Sequence, residues 1–203
     1  PADTTSGVAG GHWAPTGVGQ LADDDRRPLP QLDRALAISH AFFAERAGRL
    51  PEVYWREGYH LSNHAFGDDD PFYAKLWPQY FRNRRFLTPD EHPFLADYVQ
   101  VYTSLMIEPQ AWLARLLGEF REAGGTLVMR EIATTAELAT LAERVIFNCT
   151  GLGAKALFND AELTPVRGQL VHLKPDLRLD YDTHGIGGAG GIGGIGGNEG
   201  LFY

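Results

Sequence analysis

The segment Val145-Ile146-Phe147-Asn148-Cys149-Thr150-Gly151 sets the tightest limit on how this chain can fold. Two β-branched residues followed by Phe147 predict a buried strand. The strand then runs out into small polar residues and a glycine. Open α/β sheets leave room for a cofactor beyond the carboxyl ends of their strands, and such an end needs residues of this kind. Gly151 lets the backbone turn sharply and come close to a ligand, since it has no Cβ. Thr150 offers a hydroxyl and an amide at the same edge. An ordinary strand end closed by a polar turn has the same sequence, so this block alone leaves both readings open.

The surrounding elements extend the pattern. A helix is predicted over Gln31 to Arg46, where Leu32, Leu36, Ile38, Phe42 and Phe43 form a rough stripe and Gly48 and Pro51 supply stop signals. Val53 to Leu61 and Val99 to Ile107 read as strands. Thr88-Pro89-Asp90-Glu91 reads as a short helix start. Glu108-Pro109 opens the best helix, because proline suits the first turn, and Gly124-Gly125 close it. Its apolar face carries Trp112, Leu113, Leu116, Leu117 and Phe120. Thr126 to Ile132 reads as a strand, Thr135 to Ala142 as a short helix, Val145 to Cys149 as the strand above, and Val166 to Leu173 as another strand. This alternation predicts an α/β layer architecture.

Composition excludes several function classes. A chain of 203 residues suits one or two domains with a real core. The net charge of −8, with no basic stripe, argues against a nucleic-acid partner. Arg82-Asn83-Arg84-Arg85 reads as a solvated loop face. No apolar run is long enough to span a membrane. Cys149 is the single cysteine, so no internal disulfide is possible, which fits a reducing compartment. It reads as a small buried hydrophobe. The chain starts at Pro1 and stops at Tyr203 inside a new apolar run, as an internal piece of a longer protein would.

Two apparent metal motifs fail on spacing. Asp23-Asp24-Asp25 lacks the alternate ligand positions of a calcium loop. His60 and His64 fall on a strand passing into a loop, not on one helix face. No metal site is expected. Residues 185–200 match a dinucleotide fingerprint literally, at Gly185, Gly187 and Gly190. That fingerprint needs a strand before it and a helix after it. Ten of these sixteen residues are glycine, so a flexible loop is predicted instead.

Four blocks carry a family signal: Thr4-Thr5-Ser6-Gly7-Val8-Ala9-Gly10-Gly11-His12-Trp13-Ala14-Pro15, Tyr102 to Glu108, Val145 to Gly151, and Pro165-Val166-Arg167-Gly168-Gln169-Leu170-Val171. In this order and at these intervals they resemble the D-amino-acid oxidase family of FAD-dependent oxidoreductases, over roughly residues 4–175. The resemblance implies a partial Rossmann-like FAD-binding domain (residues 1–50 and 103–165). It also implies a second, mostly antiparallel α+β substrate domain (residues 51–102 and 166–203). The family's own glycine fingerprint would precede Pro1.

By resemblance, Thr5 and Ser6 contact the FAD phosphates or ribitol, and Gly10, Gly11 and His12 pass their backbone close to the flavin. Ile132 meets the adenine side, and Thr150 and Gly151 lie against the cofactor. Arg167-Gly168-Gln169 marks the crossing between domains, and Tyr203 falls near an active-site tyrosine. The arginine for the substrate carboxylate would lie beyond Tyr203. Two positions depart from the family: Ala14 stands where a long polar residue is usual, and His12 where an aliphatic one is.

The implied reaction is oxidative deamination of a D-amino acid by FAD and oxygen, giving a 2-oxo acid, ammonia and hydrogen peroxide. Glycine, sarcosine or D-aspartate is the alternative substrate within the class, and a non-catalytic binding module the alternative outside it. A homodimer and a cytoplasmic location, peroxisomal in a eukaryote, go with the resemblance. Residues 1–203 alone are expected to hold FAD weakly.

Overall fold

The computed structural model describes residues 4–15, 29–66, 77–165 and 178–185. Its centre is a strand that is hydrogen-bonded along both edges. That strand, β3 (Tyr98–Ile107), alternates Val99, Val101 and Leu105 on one face with Gln100, Tyr102 and Ser104 on the other, and all six are buried. A strand covered on both faces is what this β-branched and aromatic composition favours.

β1 (Val53–Ser62) pairs antiparallel with β3 along its whole length, from Val53↔Ile107 to Ser62↔Tyr98. β2 (Arg82–Leu87) takes the other edge of β3, and β4 (Tyr181–His184) runs parallel to β1. The order is β2-β3-β1-β4, a mixed sheet in an α and β fold.

α1 (Leu29–Arg46) precedes β1, and Gly48, with φ 77°, turns the chain between them. The amide of Gly48 donates to the Val53 carbonyl at 3.0 Å. Leu36 packs with Trp77, Tyr80, Phe81 and Tyr102, and Trp13, Ala14 and Leu32 close the cluster. The indole of Trp77 donates to the Asp33 carboxylate, which ties the cluster to the helix. α2 (Pro109–Glu122) follows β3 directly. Its start is fixed to the start of β1 by the Glu52–Arg115 ion pair and by the Tyr54 hydroxyl donating to Glu108. The Glu52 carboxyl is held below its usual range by that hydrogen bond from Arg115.

Two compact units are present, one formed by Pro1–Glu119 with Pro175–Tyr203, the other by Phe120–Lys174. The second holds the short helices α3 (Thr135–Leu138) and α4 (Gly153–Phe158), and its described residues contain no strand.

Several expectations are corrected here. Thr126 to Ile132 and Val145 to Cys149 are not strands. β preference needs a ladder to express itself, and neither segment has a partner among the described residues. Met129 and Phe147 are 90% and 84% exposed, and Cys149 is exposed rather than buried. The helix at Thr135 ends at Leu138.

Thr88 to Glu91 forms a turn. Glu91 accepts from the Thr88 amide (2.8 Å) and hydroxyl (3.0 Å), as in a capping box, but Pro93 follows and the helix does not propagate. The basic cluster 82–85 is a strand, not a loop. A bulge at Asn83 (φ 54°) shifts its register, and the Arg82 guanidinium lies 3.7 Å over the Trp55 ring. The predicted strand at Val166 to Leu173 and the glycine run from residue 186 onward lie outside the described residues.

Gly58 marks a close approach that only a missing side chain allows. A Cβ there would meet the Tyr102 ring at 2.9 Å. Gly58→Ala is expected to destabilise the protein by about 1–3 kcal/mol. Gly118→Ala, in the middle of α2 with open space around it, is expected to stabilise by about 0.5–1 kcal/mol. Midpoints of urea unfolding check both.

Candidate functional site

The first block folds as a turn followed by a short edge segment. A 3-10 turn over Thr5–Gly7 is closed by the Gly7 amide, which donates to the Thr4 carbonyl (2.9 Å) and lies 3.2 Å from its hydroxyl. The chain then runs beside the last residues of β3. The Ile107 amide donates to the Gly11 carbonyl (2.8 Å), and the Trp13 amide to the Leu105 carbonyl (2.9 Å). This segment takes up the edge of β3 where β2 ends.

The two central glycines differ. A Cβ on Gly11 would overlap the Ile107 carbonyl, so the close pairing requires glycine. A Cβ on Gly10 would meet nothing within 4 Å. Gly11 therefore answers first to β3, and Gly10 leaves its backbone open.

Ser6, Gly10, Gly11 and His12 come together along a groove of about 470 Å³. Ile107 and Pro109 lie behind it, and Leu36, Phe43, Trp112 and Leu113 supply apolar walls. A cavity of about 600 Å³ adjoins Gly7 to Ala9 and the first turn of α2, where Gln110 donates to the Gly7 carbonyl at 3.1 Å. Thr5 and Ser6 are exposed in the turn. Glycine backbone on one side and flat apolar walls on the other suit a planar ring system. A helix start nearby suits an anionic group.

His12 pairs with Met106 across the ladder, and its Nε2 lies 2.7 Å from the Ser104 hydroxyl. Its ring stacks on Tyr102, centroids 6.0 Å apart. Burial pushes the His12 imidazole down to about 4. It is neutral at pH 7 and serves as a hydrogen-bonding wall rather than a cation. On the opposite face Trp13 packs against His40 and Tyr80, and Ala14 joins the core beside Leu36. Burial, and then the Arg82 charge, lower the His40 imidazole too.

The remaining expected residues belong to the second unit or lie outside the described residues. Ile132 is half-buried. The Thr150 amide and hydroxyl both reach Asn148 Oδ1, at 3.2 and 2.7 Å, and Gly151 has φ 55°. The sharp turn expected at Gly151 is therefore present, although the strand before it is not. Tyr203 and Arg167-Gly168-Gln169 lie outside the described residues. Sequence reasoning assigned no role to Ser104, Gln100 or Asp182. Isolated polar residues in strand patterns carry no signal of burial.

The family described as FAD dependent oxidoreductase matches residues 1–190. The chain belongs to that family. Among its relatives, a D-amino-acid oxidase of Rubrobacter xylanophilus is 38% identical over 174 residues, 85% of this chain and 49% of that protein. A D-amino-acid oxidase of Dictyostelium discoideum is 32% identical over 101 residues, 48% of this chain and 28% of that protein. Human D-aspartate oxidase is 27% identical over 176 residues, again 85% of this chain and 49% of that protein. The chain thus spans about half the length, or less, of these curated relatives.

Two outcomes are expected. Gly11→Ala lowers stability by about 1–3 kcal/mol, whereas Gly10→Ala changes it by less than about 0.5 kcal/mol. His12 loses basicity on folding, so its contribution is full above about pH 6.5 and is lost as pH falls toward about 4. Urea titrations at pH 7 and pH 4 should show the acid loss reduced by about 3 kcal/mol in His12→Gln.

Proposed function

We propose that the full-length protein is an FAD-dependent oxidase of D-amino acids. The observation that carries this reading is the open backbone at Gly10, set on the edge of β3 beside an apolar groove and a helix start. Such a surface lets a flat cofactor approach main chain directly. Thr5 and Ser6 would hold the phosphate or ribitol part, and Gly10, Gly11 and His12 would border the flavin ring. Ile132, Thr150 and Gly151 would be further cofactor contacts.

The exposed apolar segments 126–132 and 145–149 support a Rossmann-like sheet in the full-length protein. They have the composition of buried parallel strands and would find their ladder there. The mixed sheet would belong to the substrate domain, and Tyr203 would approach the active site.

The chemistry that bound flavin supplies is acceptance of a hydride from the substrate Cα, followed by reoxidation by oxygen to hydrogen peroxide. The chain's own part is positional. His12, neutral and bonded to Ser104, holds a fixed uncharged wall beside the reacting carbon. Trp112 and Leu113 supply apolar walls to the groove. Water then hydrolyses the imino acid product to a 2-oxo acid and ammonia. A D-aspartate oxidase is the second reading, drawn from the human relative.

Visible absorption of the full-length protein tests the proposal. A flavin band that bleaches on anaerobic addition of a D-amino acid mixture is expected. A band that persists would move the substrate to another amine or hydroxy acid. No band, even after FAD is added, would overturn the reading.

A further inference from the structure

The sheet face that carries His12 is buried and polar. Register puts Asp182 of β4, Gly58 of β1 and Tyr102 of β3 in one row, with their side chains on one face. Ser104, which bonds His12, stands two residues along β3 on the same face. Gln100 stands two residues the other way. Ser104 is fully buried, Gln100 is 2% exposed and Asp182 is 7% exposed.

Gly58 leaves the middle of the row without a side chain. The Tyr102 phenol fills that gap, with its ring and hydroxyl 2.9–3.0 Å from where a Gly58 Cβ would sit. The phenol thus reaches across β1 toward the strand that carries Asp182.

Asp182 is only partly satisfied, by a backbone hydrogen bond at its own residue. Its Oδ1 is buried and has no hydrogen-bond partner. The Arg56 guanidinium donates to the Leu179 carbonyl at 3.1 Å and acts on Asp182 through its field. Burial raises the Asp182 carboxyl to about 6, against that field. Charged carboxylates in such places are ordinarily paired, and a missing partner has to be cationic or a strong donor. Two strand spacings, about 10 Å in all, separate Asp182 from β3. That is the scale of a long side chain laid along the sheet.

We propose that Asp182 anchors a cationic substrate side chain, so that the preferred D-amino acids end in a guanidinium or ammonium group. The proposal rests on the oxidase reading above. A substrate whose Cα lies by the flavin near His12 would turn its side chain toward β4 and the Asp182 carboxylate. The same carboxylate would repel an acidic side chain, which disfavours D-aspartate.

The test uses the full-length flavoprotein and pairs of substrates matched in shape. D-arginine is compared with D-citrulline, and D-lysine with D-norleucine, by kcat/KM, with D-alanine as a reference. A preference of tenfold or more for the charged member of each pair is expected, with Asp182→Asn bringing both ratios near one. Wild-type ratios near one, with D-alanine still oxidised, would overturn the proposal and leave the oxidase reading standing. A wild-type preference that survives in Asp182→Asn would also overturn it. If no D-amino acid is oxidised, the oxidase reading fails and the proposal with it. Should Asp182→Asn fail to fold, the wild-type ratios and D-aspartate turnover decide, and efficient D-aspartate oxidation would overturn the proposal.

Discussion

The described sheet and the candidate site both depend on β3 being hydrogen-bonded along its two edges. β1 occupies one edge throughout, while the other is divided between β2 and the Gly11–Trp13 segment. Division of that edge gives the first block its place. Strand geometry then sends successive side chains to opposite faces. His12 goes to the polar face with Ser104, and Trp13 to the face beneath α1 with His40 and Tyr80. One pair of backbone hydrogen bonds therefore positions a site residue and a core residue together. Gly11 is the condition for it, because any Cβ would strike the Ile107 carbonyl.

The two faces make different demands. Under α1 the contacts are aromatic and apolar, and the Arg82 guanidinium stacks on Trp55 without needing a carboxylate. The other face buries Ser104, Gln100 and Asp182 beside Tyr102, which itself joins the cluster of Leu36 and Phe81. Its titratable groups work in opposite directions. His12 favours the fold above about pH 6.5 and loses that contribution toward about 4. Asp182 is raised, so its contribution is full below about 3.8 and is lost as pH rises through about 6. Near neutral pH the face carries a neutral imidazole and a buried carboxylate that the Arg56 field offsets in part. Such a pattern costs stability and is common where ligands bind.

Legibility followed the range of the interactions concerned. α1, β1, β3 and α2 were readable because periodicity and punctuation coincide: Gly48 and Pro51 after the first helix, Pro109 at the start of the second, Gly124 and Gly125 at its end. β2 was misread because three arginines in six residues suggest solvent. In fact their stems and charges are used on the sheet, over Trp55 and against Glu91. β4 has only four residues and exists through its pairing with β1, so no local pattern announces it. The first block was singled out through family resemblance. Asp182 was not, since its burial is set by the β4–β1 pairing.

The segment from Val145 to Gly151 separates these ranges within seven residues. In its second half Gly151 turns at positive φ as expected, and Thr150 bonds to Asn148, so the chain enters α4. Those interactions close over two or three residues and need no distant partner. Its first half, with the stronger β preference, stays unpaired and exposed. Strand hydrogen bonds must come from another segment, and preference only decides how well they are used once offered. A glycine turn is thus a property of its own residues, whereas a strand is a property of its neighbours. The cofactor-edge reading of this segment accordingly depends on the sheet that would flank it in the full-length protein.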